Sequence, residues 1–310
     1  MSLSRATLSD GTPLSLPGEP PFAAEDLRPY MNEPLLLPCE DPWIEGEPDE
    51  EAHAYLQGAA DAWESDPDWM DVLDLESPAY DVKIAERDLY LHAWGAHLSA
   101  ARVLDVGCGV GRMMMPFLDA GASVIGVDAD LQSLQHAAWH AAGRAGRVDL
   151  HWSSVHHLPD ERDFDVVLAV EVLCYVPDVE SALRAIVERL RPGGTLLLSM
   201  EARWGWATGQ DAPPGSLDEA LNGTGIVHLP GETWVRTWER DELVELLERV
   251  GLQVTEALAA FYVTDGPLER CLGPSASLQE LIAIEERARK HPIWGPLNRV
   301  WMVQATRPVG

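Results

Sequence analysis

A glycine cluster between two apolar segments constrains the fold of this chain more than any other feature. The apolar residues 103–106 run into the loop Gly-Cys-Gly-Val-Gly-Arg at 107–112, and a second apolar run, 124–127, ends at Asp128. Glycines let the backbone approach a ligand closely because they carry no Cβ. A carboxylate at the tip of the second strand can accept both hydroxyls of a ribose. The pattern therefore predicts a nucleoside-binding βαβ unit.

The spacing of the glycines distinguishes between kinds of nucleotide site. A dinucleotide fingerprint, G-x-G-x-x-G, that starts at Gly107 needs its third glycine at position 112. Position 112 is Arg, and the glycines fall instead at 107, 109 and 111. An NAD(P)-dependent oxidoreductase is therefore the weakest of the functional alternatives.

The charge balance limits the partners of the chain. Its 310 residues include 51 acidic and 22 basic side chains, a formal net charge of −29. Such a field repels phosphate backbones and anionic headgroups, so we expect neither a nucleic acid nor a membrane partner. It is compatible with a neutral or cationic small molecule, although the charge is also explained by solubility or by the source of the protein.

The cysteines and the N-terminus indicate where the chain is expected to reside and whether it holds a metal. The cysteines, Cys39, Cys108, Cys174 and Cys271, form no C-x-x-C pair. This spacing suggests neither a disulfide framework nor a zinc site, and we predict no metal. Without a signal peptide or a membrane span, the chain is expected to be soluble and cytoplasmic.

Hydrophobic periodicity predicts alternating strands and helices. Strands are expected at 103–106, 123–127, 148–152, 164–170, 195–200, 252–258 and 299–306. Helices are expected at 50–57, 79–98, 131–142, 239–250 and 278–289, after the glycine loop to about 120, and after Asp178 until Pro192-Gly193-Gly194. Pro116 should disturb the helix that follows the glycine loop. This alternation favours an α/β fold, a doubly wound, Rossmann-like, seven-stranded and mostly parallel sheet with an antiparallel edge strand.

The composition divides the chain into an extension and a main domain. Residues 1–79 are rich in proline and acidic residues, and we interpret them as an N-terminal extension that caps the domain. Residues 80–310 form the main domain. Two irregular segments, at about 201–236 and 263–297, are interpreted as insertions that cover a substrate, the first as a long loop.

Four segments carry a family resemblance from about Tyr80 to Arg307. They are 103–112, 124–130, 164–178 and 190–196, and their order and spacing count for more than any one of them. Together they resemble the class I S-adenosylmethionine (SAM)-dependent methyltransferases of small-molecule type, with motifs like those of the ubiquinone and menaquinone methyltransferases. The resemblance implies SAM as cofactor and S-adenosylhomocysteine (SAH) as product.

The resemblance also implies a set of cofactor-binding residues. Gly107 and Cys108 would face the methionine part of SAM, and Asp128 would bind its ribose. Ser154 stands where the family usually has an acid that contacts the adenine, so a hydroxyl replaces a charge there. The full set implied is Asp105, Gly107, Cys108, Gly109, Asp128, Ala129, Ser154, Val155 and Glu171.

The implied reaction is methyl transfer to an oxygen, nitrogen or carbon nucleophile of a small molecule by in-line displacement. A base is needed only if the acceptor must lose a proton, and the candidates are His228, Tyr175, His156 and His157. A solvated loop would equally explain the adjacent histidines, and packing would explain Tyr175. Alternatives are a peptide or protein methyltransferase and a non-catalytic SAM-binding partner subunit. The oligomeric state does not follow from the sequence.

Overall fold

A computed structural model gives the structure of the chain. It describes residues 7–8, 35–36, 70–176, 178–209, 212, 214–223, 225–227, 235–264, 266 and 277–309. In these ranges, none of the helices combines the length and the apolar character that crossing a bilayer requires. The predicted helix at 50–57 and most of the predicted extension lie outside the described residues.

The described elements alternate along the chain as the periodicity predicts. The strands are β1 Thr7–Leu8, β2 Leu35–Leu36, β3 Arg102–Val106, β4 Ser123–Asp128, β5 Arg147–Trp152, β6 Phe164–Ala169, β7 Leu190–Glu201, β8 Ile226–Val227, β9 Val235–Arg236, β10 Gln253–Ala260 and β11 Val300–Thr306. The helices are α1 Tyr80–Trp94, α2 Met114–Asp119, α3 Leu131–Ala141, α4 Val179–Arg189, α5 Arg203–Thr208, α6 Ser216–Asn222, α7 Arg240–Arg249 and α8 Leu278–Arg289. Short 3₁₀ turns lie at Gly95–His97, Leu173–Tyr175 and Gly295–Leu297.

Seven strands form one twisted sheet in the order β10-β11-β7-β6-β3-β4-β5. The strands from β5 to β7 in this order are parallel to their neighbours. Strand β11 runs antiparallel to both β7 and β10, so antiparallel pairing is confined to one edge of the sheet. The predicted doubly wound, mostly parallel, seven-stranded sheet with an antiparallel edge is confirmed.

Apolar side chains cover both faces of this sheet. Val103 and Val124 point to one face, where they pack with residues of α1, α2, α3 and α8. Their chain neighbours Leu104 and Ile125 point to the other face, against α4 and α7. Successive residues of a strand alternate between faces, so a strand buried on both sides must be apolar throughout. This explains the nearly continuous apolar runs of the central strands.

Pro116 does not break the helix after the glycine loop, contrary to the expected disturbance. The loop extends further than predicted, and α2 begins only at Met114, so Pro116 lies in its first turn. Backbone N–H groups in a first turn have no partner within the helix, and proline costs little there.

The predicted breaks around β7 need a second correction. Helix α4 ends at Arg189, before Pro192. Residues Pro192, Gly193 and Gly194, which are expected to separate this helix from the next strand, belong instead to the long strand β7. The parallel pairing of β6 with β7 shifts register between Phe164 and Val166 to accommodate them. Gly193 has a positive φ of 75° in this irregular stretch.

The segment 201–236 is not the long loop that its composition predicts. It contains α5, α6 and the antiparallel pair β8–β9. These elements are only two to seven residues long, too short for a hydrophobic period to be visible in the sequence. The segment 263–297 does contain the predicted helix, as α8.

Gly107 directly follows β3, at a position where both the backbone conformation and a neighbouring side chain disfavour any other residue. Its φ of 67° lies in the left-handed region. A Cβ at this position would also overlap the side chain of Val172. We expect Gly107→Ala to lower the free energy of unfolding by at least about 2 kcal/mol, through backbone strain and overpacking together. Urea denaturation measures the change.

Gly143→Ala is the matched control for this substitution. Gly143 has a similar φ of 75°, but a Cβ there would meet nothing within 4 Å. We expect it to lose only about 1 kcal/mol. Adding Val172→Ala to Gly107→Ala should recover part of the lost stability, and equal losses in the two alanine variants would contradict the proposed overlap.

Candidate functional site

A cavity of about 320 Å³ opens at the carboxyl ends of β3, β4, β5 and β6. The order of the strands reverses between β3 and β6, because the chain runs outward from β3 to β5 before it returns to β6. Loops that follow neighbouring strands at such a switch point diverge and leave a crevice. The fold itself therefore places the cavity beside the glycine loop.

The nine residues implied to hold a cofactor all line this cavity. They come from the ends of neighbouring strands and the loops that follow them: Asp105, Gly107, Cys108, Gly109, Asp128, Ala129, Ser154, Val155 and Glu171. The residues that the family resemblance implies therefore lie together in one cavity. Their roles toward a ligand remain a proposal.

Hydrogen bonds attach the glycine loop to the end of β4. The N–H groups of Gly107 and Cys108 both donate to the carbonyl of Val127, at 2.8 and 3.0 Å. The N–H of Gly109 donates to Oδ2 of Asp128 at 2.7 Å, and the N–H of Asp130 donates to Oδ1 at 2.8 Å. A carboxylate oxygen has two lone pairs, so Asp128 keeps acceptor capacity toward the cavity while it orders the loop.

Asp105 lies buried beneath the loop with an unsatisfied acceptor. Among the residues that the structure describes, its Oδ2 has no hydrogen-bond partner. Burial, together with the negative charge of Asp128, raises the pKa of Asp105 to about 8. Burial also raises the pKa of Asp128 to about 6, although backbone N–H groups offset part of the effect. The floor of the cavity therefore suits a ligand that brings hydrogen-bond donors or positive charge.

The loop after β5 supplies the opposite wall. Ser154 is buried, and its Oγ accepts a hydrogen bond from the N–H of His156 at 3.2 Å. The indole of Trp152 donates to the carbonyl of Ala129 at 2.8 Å, which ties the end of β5 to the loop after β4. The hydroxyl at 154 therefore takes part in shaping the loop as well as lining the cavity.

Glu171 combines an unusual backbone with strong side-chain contacts. Its φ of 58° is positive, and its N–H donates to the hydroxyl of Ser199 at 2.8 Å. Its carboxylate lies 2.9 Å from the guanidinium of Arg112 and accepts a hydrogen bond from Tyr90 at 3.1 Å. Burial favours a higher pKa, but Arg112 and Lys83 outweigh it and hold the pKa of Glu171 below its usual range. Strained backbone of this kind often accompanies function.

Arg112 is a charged residue of the cavity that the sequence analysis missed. It lines the cavity, and it bridges Glu171 to Glu86 of α1, which lies 3.0 Å away and also contacts Lys83 at 2.9 Å. Its partners lie 26 and 59 residues away along the chain, so no local pattern marks the network. The sequence offers one signal, an arginine at the end of the glycine loop in a chain where acidic residues outnumber basic ones.

The four candidate bases separate in the structure. Tyr175 and His156 line the cavity. His157 is exposed and does not contribute to the lining, although it directly follows His156. His228 lies outside the described residues. The two candidates that the cavity brings together are therefore Tyr175 and His156.

The tryptophans after β7 contact the chain itself. The guanidinium of Arg299 stacks over the ring of Trp206 at 3.6 Å, and the Trp206 indole donates to Glu201 at 2.6 Å. The indole of Trp204 donates to Glu239 at 2.6 Å. These two indoles therefore pack against the chain's own charged groups.

Sequence comparison finds named relatives for about half of the chain. The ubiquinone biosynthesis O-methyltransferase of Nitrobacter winogradskyi is 33% identical over 167 residues, which cover 53% of this chain and 61% of that protein. The protein of the same name from Ruegeria pomeroyi is 35% identical over 157 residues, covering 49% and 60%. The chain thus spans about three-fifths of the length of the curated relatives it matches.

Structural comparison finds the same fold in solved proteins. Magnesium protoporphyrin IX methyltransferase from Synechocystis PCC 6803, solved with bound SAH, superposes with a TM-score of 0.51 at 15% identity, covering 81% of this chain and 99% of that one. The 1,6-didemethyltoxoflavin-N1-methyltransferase of Burkholderia thailandensis gives a TM-score of 0.50 at 19% identity, covering 89% and 94%. At these identities the likeness establishes the fold alone.

The raised pKa of Asp105 predicts a measurable pH dependence of stability. Because the native chain keeps this proton to higher pH, it binds more protons than the unfolded chain between 3.8 and about 8. The contribution of Asp105 to the free energy of unfolding therefore falls as the pH rises through this window. Asp105→Asn cannot titrate, so its stability relative to the wild type should increase with pH, by at most about 1.4 kcal/mol per pH unit. Urea denaturation across the window tests this, and a constant difference would show that Asp105 is ionised in the native chain.

A family-level match covers the cavity and most of the sheet. The sequence profile of a family described as Methyltransferase domain matches residues 81–257, more than half of the 310 residues of the chain. The matched region begins in α1 and ends in β10, so it contains the glycine loop, the end of β4 and the switch point. The chain belongs to the methyltransferase domain family.

Proposed function

We propose that this chain binds SAM in the cavity beside the glycine loop and transfers its methyl group to a small molecule. One observation carries the proposal. An acidic cavity at the sheet's switch point combines a close-approach glycine loop with a carboxylate at the end of β4. The family membership and the SAH bound to the Synechocystis relative support the same ligand.

The cavity fits this ligand on its own chemistry. SAM carries a ribose with two hydroxyls, an ammonium group and a sulfonium, and thus brings both donors and positive charge. A polar group of this ligand would give the unpartnered Oδ2 of buried Asp105 a hydrogen-bond partner. Asp128, Asp130 and Glu171 also line the cavity, against the single guanidinium of Arg112. A phosphate-bearing dinucleotide would meet net repulsion in the same space.

Each wall would make a different kind of contact. The carboxylate of Asp128, already oriented by two backbone N–H groups, would accept the ribose hydroxyls. The backbone of Gly107 and Cys108, and Asp105 behind it, would face the methionine part. Ala129, Ser154 and Val155 would enclose the adenine, with the Ser154 hydroxyl in place of an acid. When bound, SAM supplies an electrophilic methyl group, so this chain must mainly hold and align the acceptor.

Tyr175 and His156 are the residues that could accept a proton from an acceptor in this cavity. Both line the cavity in which the acceptor would react. Tyr175 also interacts electrostatically with the guanidinium of Arg299, so negative charge on its oxygen would face a cation. We therefore propose Tyr175 as the first candidate for this role, ahead of His156.

The acceptor is proposed to be a small molecule that reacts at oxygen. The relatives named as ubiquinone biosynthesis O-methyltransferases support oxygen over nitrogen or carbon. Met70 and Val72 line the cavity, which supports the proposal that residues 1–79 act as a cap on the site. The insertions at about 201–236 and 263–297 are proposed to complete the cover.

Isothermal titration with SAM and SAH tests the proposed cofactor site. We expect the wild-type chain to bind both ligands and Asp128→Ala to bind them at least about tenfold more weakly, because the ribose loses a charged acceptor. Asp119→Ala is the control, because Asp119 ends α2 and does not line the cavity. Binding of NADH without SAM would refute the assignment, and equal affinity of the two variants would place the ribose elsewhere.

A turnover assay tests the proposed role of Tyr175. A screen of phenols and amines with SAM provides an acceptor, and Tyr175→Phe should then lower its kcat by about a hundredfold or more while SAM affinity changes little. His157→Gln is the matched control, because this histidine neighbours the cavity without lining it. If Tyr175→Phe retains full turnover while His156→Gln or His228→Gln loses it, the proton acceptor has been assigned to the wrong residue.

A further inference from the structure

Two histidines and an aspartate meet beside the cavity. Nδ1 of His136 lies 2.7 Å from Oδ2 of Asp71, and Nε2 of His140 lies 2.8 Å from Oδ1 of the same carboxylate. One potential ligand atom from each of these three residues lies within 4.8 Å of the other two. The proposed function makes no use of this cluster.

The spacing of the histidines is suited to joint binding of one ion. His136 and His140 lie four residues apart on α3, so both side chains project from the same face of the helix. Pairs of histidines with this spacing bind zinc from a helix in known metal motifs. Asp71 supplies a third ligand from a segment 65 residues earlier in the chain.

We propose that Asp71, His136 and His140 form a binding site for Zn²⁺ or a similar divalent transition-metal ion. Two imidazoles and a carboxylate are ligands that suit Zn²⁺ and its borderline neighbours, whereas Mg²⁺ prefers an all-oxygen shell. Bonds of about 2.0–2.1 Å in a tetrahedron separate ligand atoms by about 3.3 Å. The present separations of 2.7 and 2.8 Å therefore need to widen by only about 0.5 Å.

The proposed metal site can be reached from solvent, and a backbone hydrogen bond helps to hold its carboxylate. The side chains of His136 and His140 are 17% and 14% exposed, which leaves a path for an ion and room for a water as fourth ligand. The N–H of Leu73 donates to Asp71 at 3.2 Å and helps to orient its carboxylate.

The position of the site indicates a structural role. The residue after His136 is Ala137, where a hydrolytic zinc motif of the H-E-x-x-H type has its glutamate base. Asp71 stands between Met70 and Val72, which both line the cavity, and α3 also contributes Ser133 to the lining. An ion bound here would fasten the segment 70–72 to α3 and so hold one wall of the cavity in place.

Metal titration of the full-length chain, without an affinity tag and after treatment with a chelator, tests the proposal. We expect one equivalent of Zn²⁺ to bind, Mg²⁺ not to compete, and Co²⁺ to give the visible absorption of a four-coordinate site. Asp71→Asn and His140→Ala should each weaken Zn²⁺ binding at least about tenfold. His92→Ala is the control, because His92 is an exposed histidine of α1 outside the cluster.

The outcomes separate a metal site from a hydrogen-bonded clamp. No Zn²⁺ binding by the wild-type chain, or binding that Asp71→Asn and His140→Ala leave unchanged, would overturn the proposal. Circular dichroism establishes that each variant is folded, and the wild-type titration decides the question even if one is not. Since these titrations contain no SAM, they stand or fall independently of the proposed methyl transfer.

Discussion

The attachment of the glycine loop to β4 is the interaction on which the site depends. Two loop N–H groups share the carbonyl of Val127, and a third donates to the carboxylate of Asp128. This arrangement forces the chain to turn sharply at Gly107, where Val172 leaves no room for a side chain. The same bonds that close the loop also orient Asp128, so one local constraint sets both the shape of the cavity and the position of this carboxylate.

The cavity places several carboxylates close together in a buried environment, and this determines their pKa values. Burial raises the pKa values of Asp105 and Asp128, with added repulsion from Asp128 on the first and from Asp130 on the second, so the native chain holds these acids at a cost in stability. Glu171 escapes that cost because Arg112 and Lys83 compensate its charge. A ligand that carries positive charge would stabilise the ionised forms of both acids, whereas an anionic one would add to the repulsion. The proposed preference for SAM is consistent with this charge distribution.

Local sequence signals predict the sheet because strands depend on short-range patterns, and the family resemblance implies nine residues that all line one cavity. Alternating apolar runs define the strands, and the glycine spacing and Asp128 mark the loops at their ends. The signals fail where the interacting residues are distant in the sequence. Arg112 contacts Glu86 of α1 and Glu171, which follows β6. Asp71 contacts His136 of α3, 65 residues later in the chain. They also fail for the insertion at 201–236, whose helices and strands are too short to show a period. Tertiary contacts decide those features, and one sequence does not display them.

Helix α3 links the cavity to the cluster of Asp71, His136 and His140, because its first turn lies at the cavity and its later turns carry the two histidines. Its first turn is capped by Asp130, which lines the cavity together with Ser133, and its second and third turns carry His136 and His140. Asp71 contacts those histidines while its neighbours Met70 and Val72 form part of the cavity wall. An interaction that holds Asp71 against α3 therefore also limits the motion of Met70 and Val72 in the cavity wall, because they are its direct neighbours in the backbone. Order in this segment and order in the cavity are coupled by covalent connection alone.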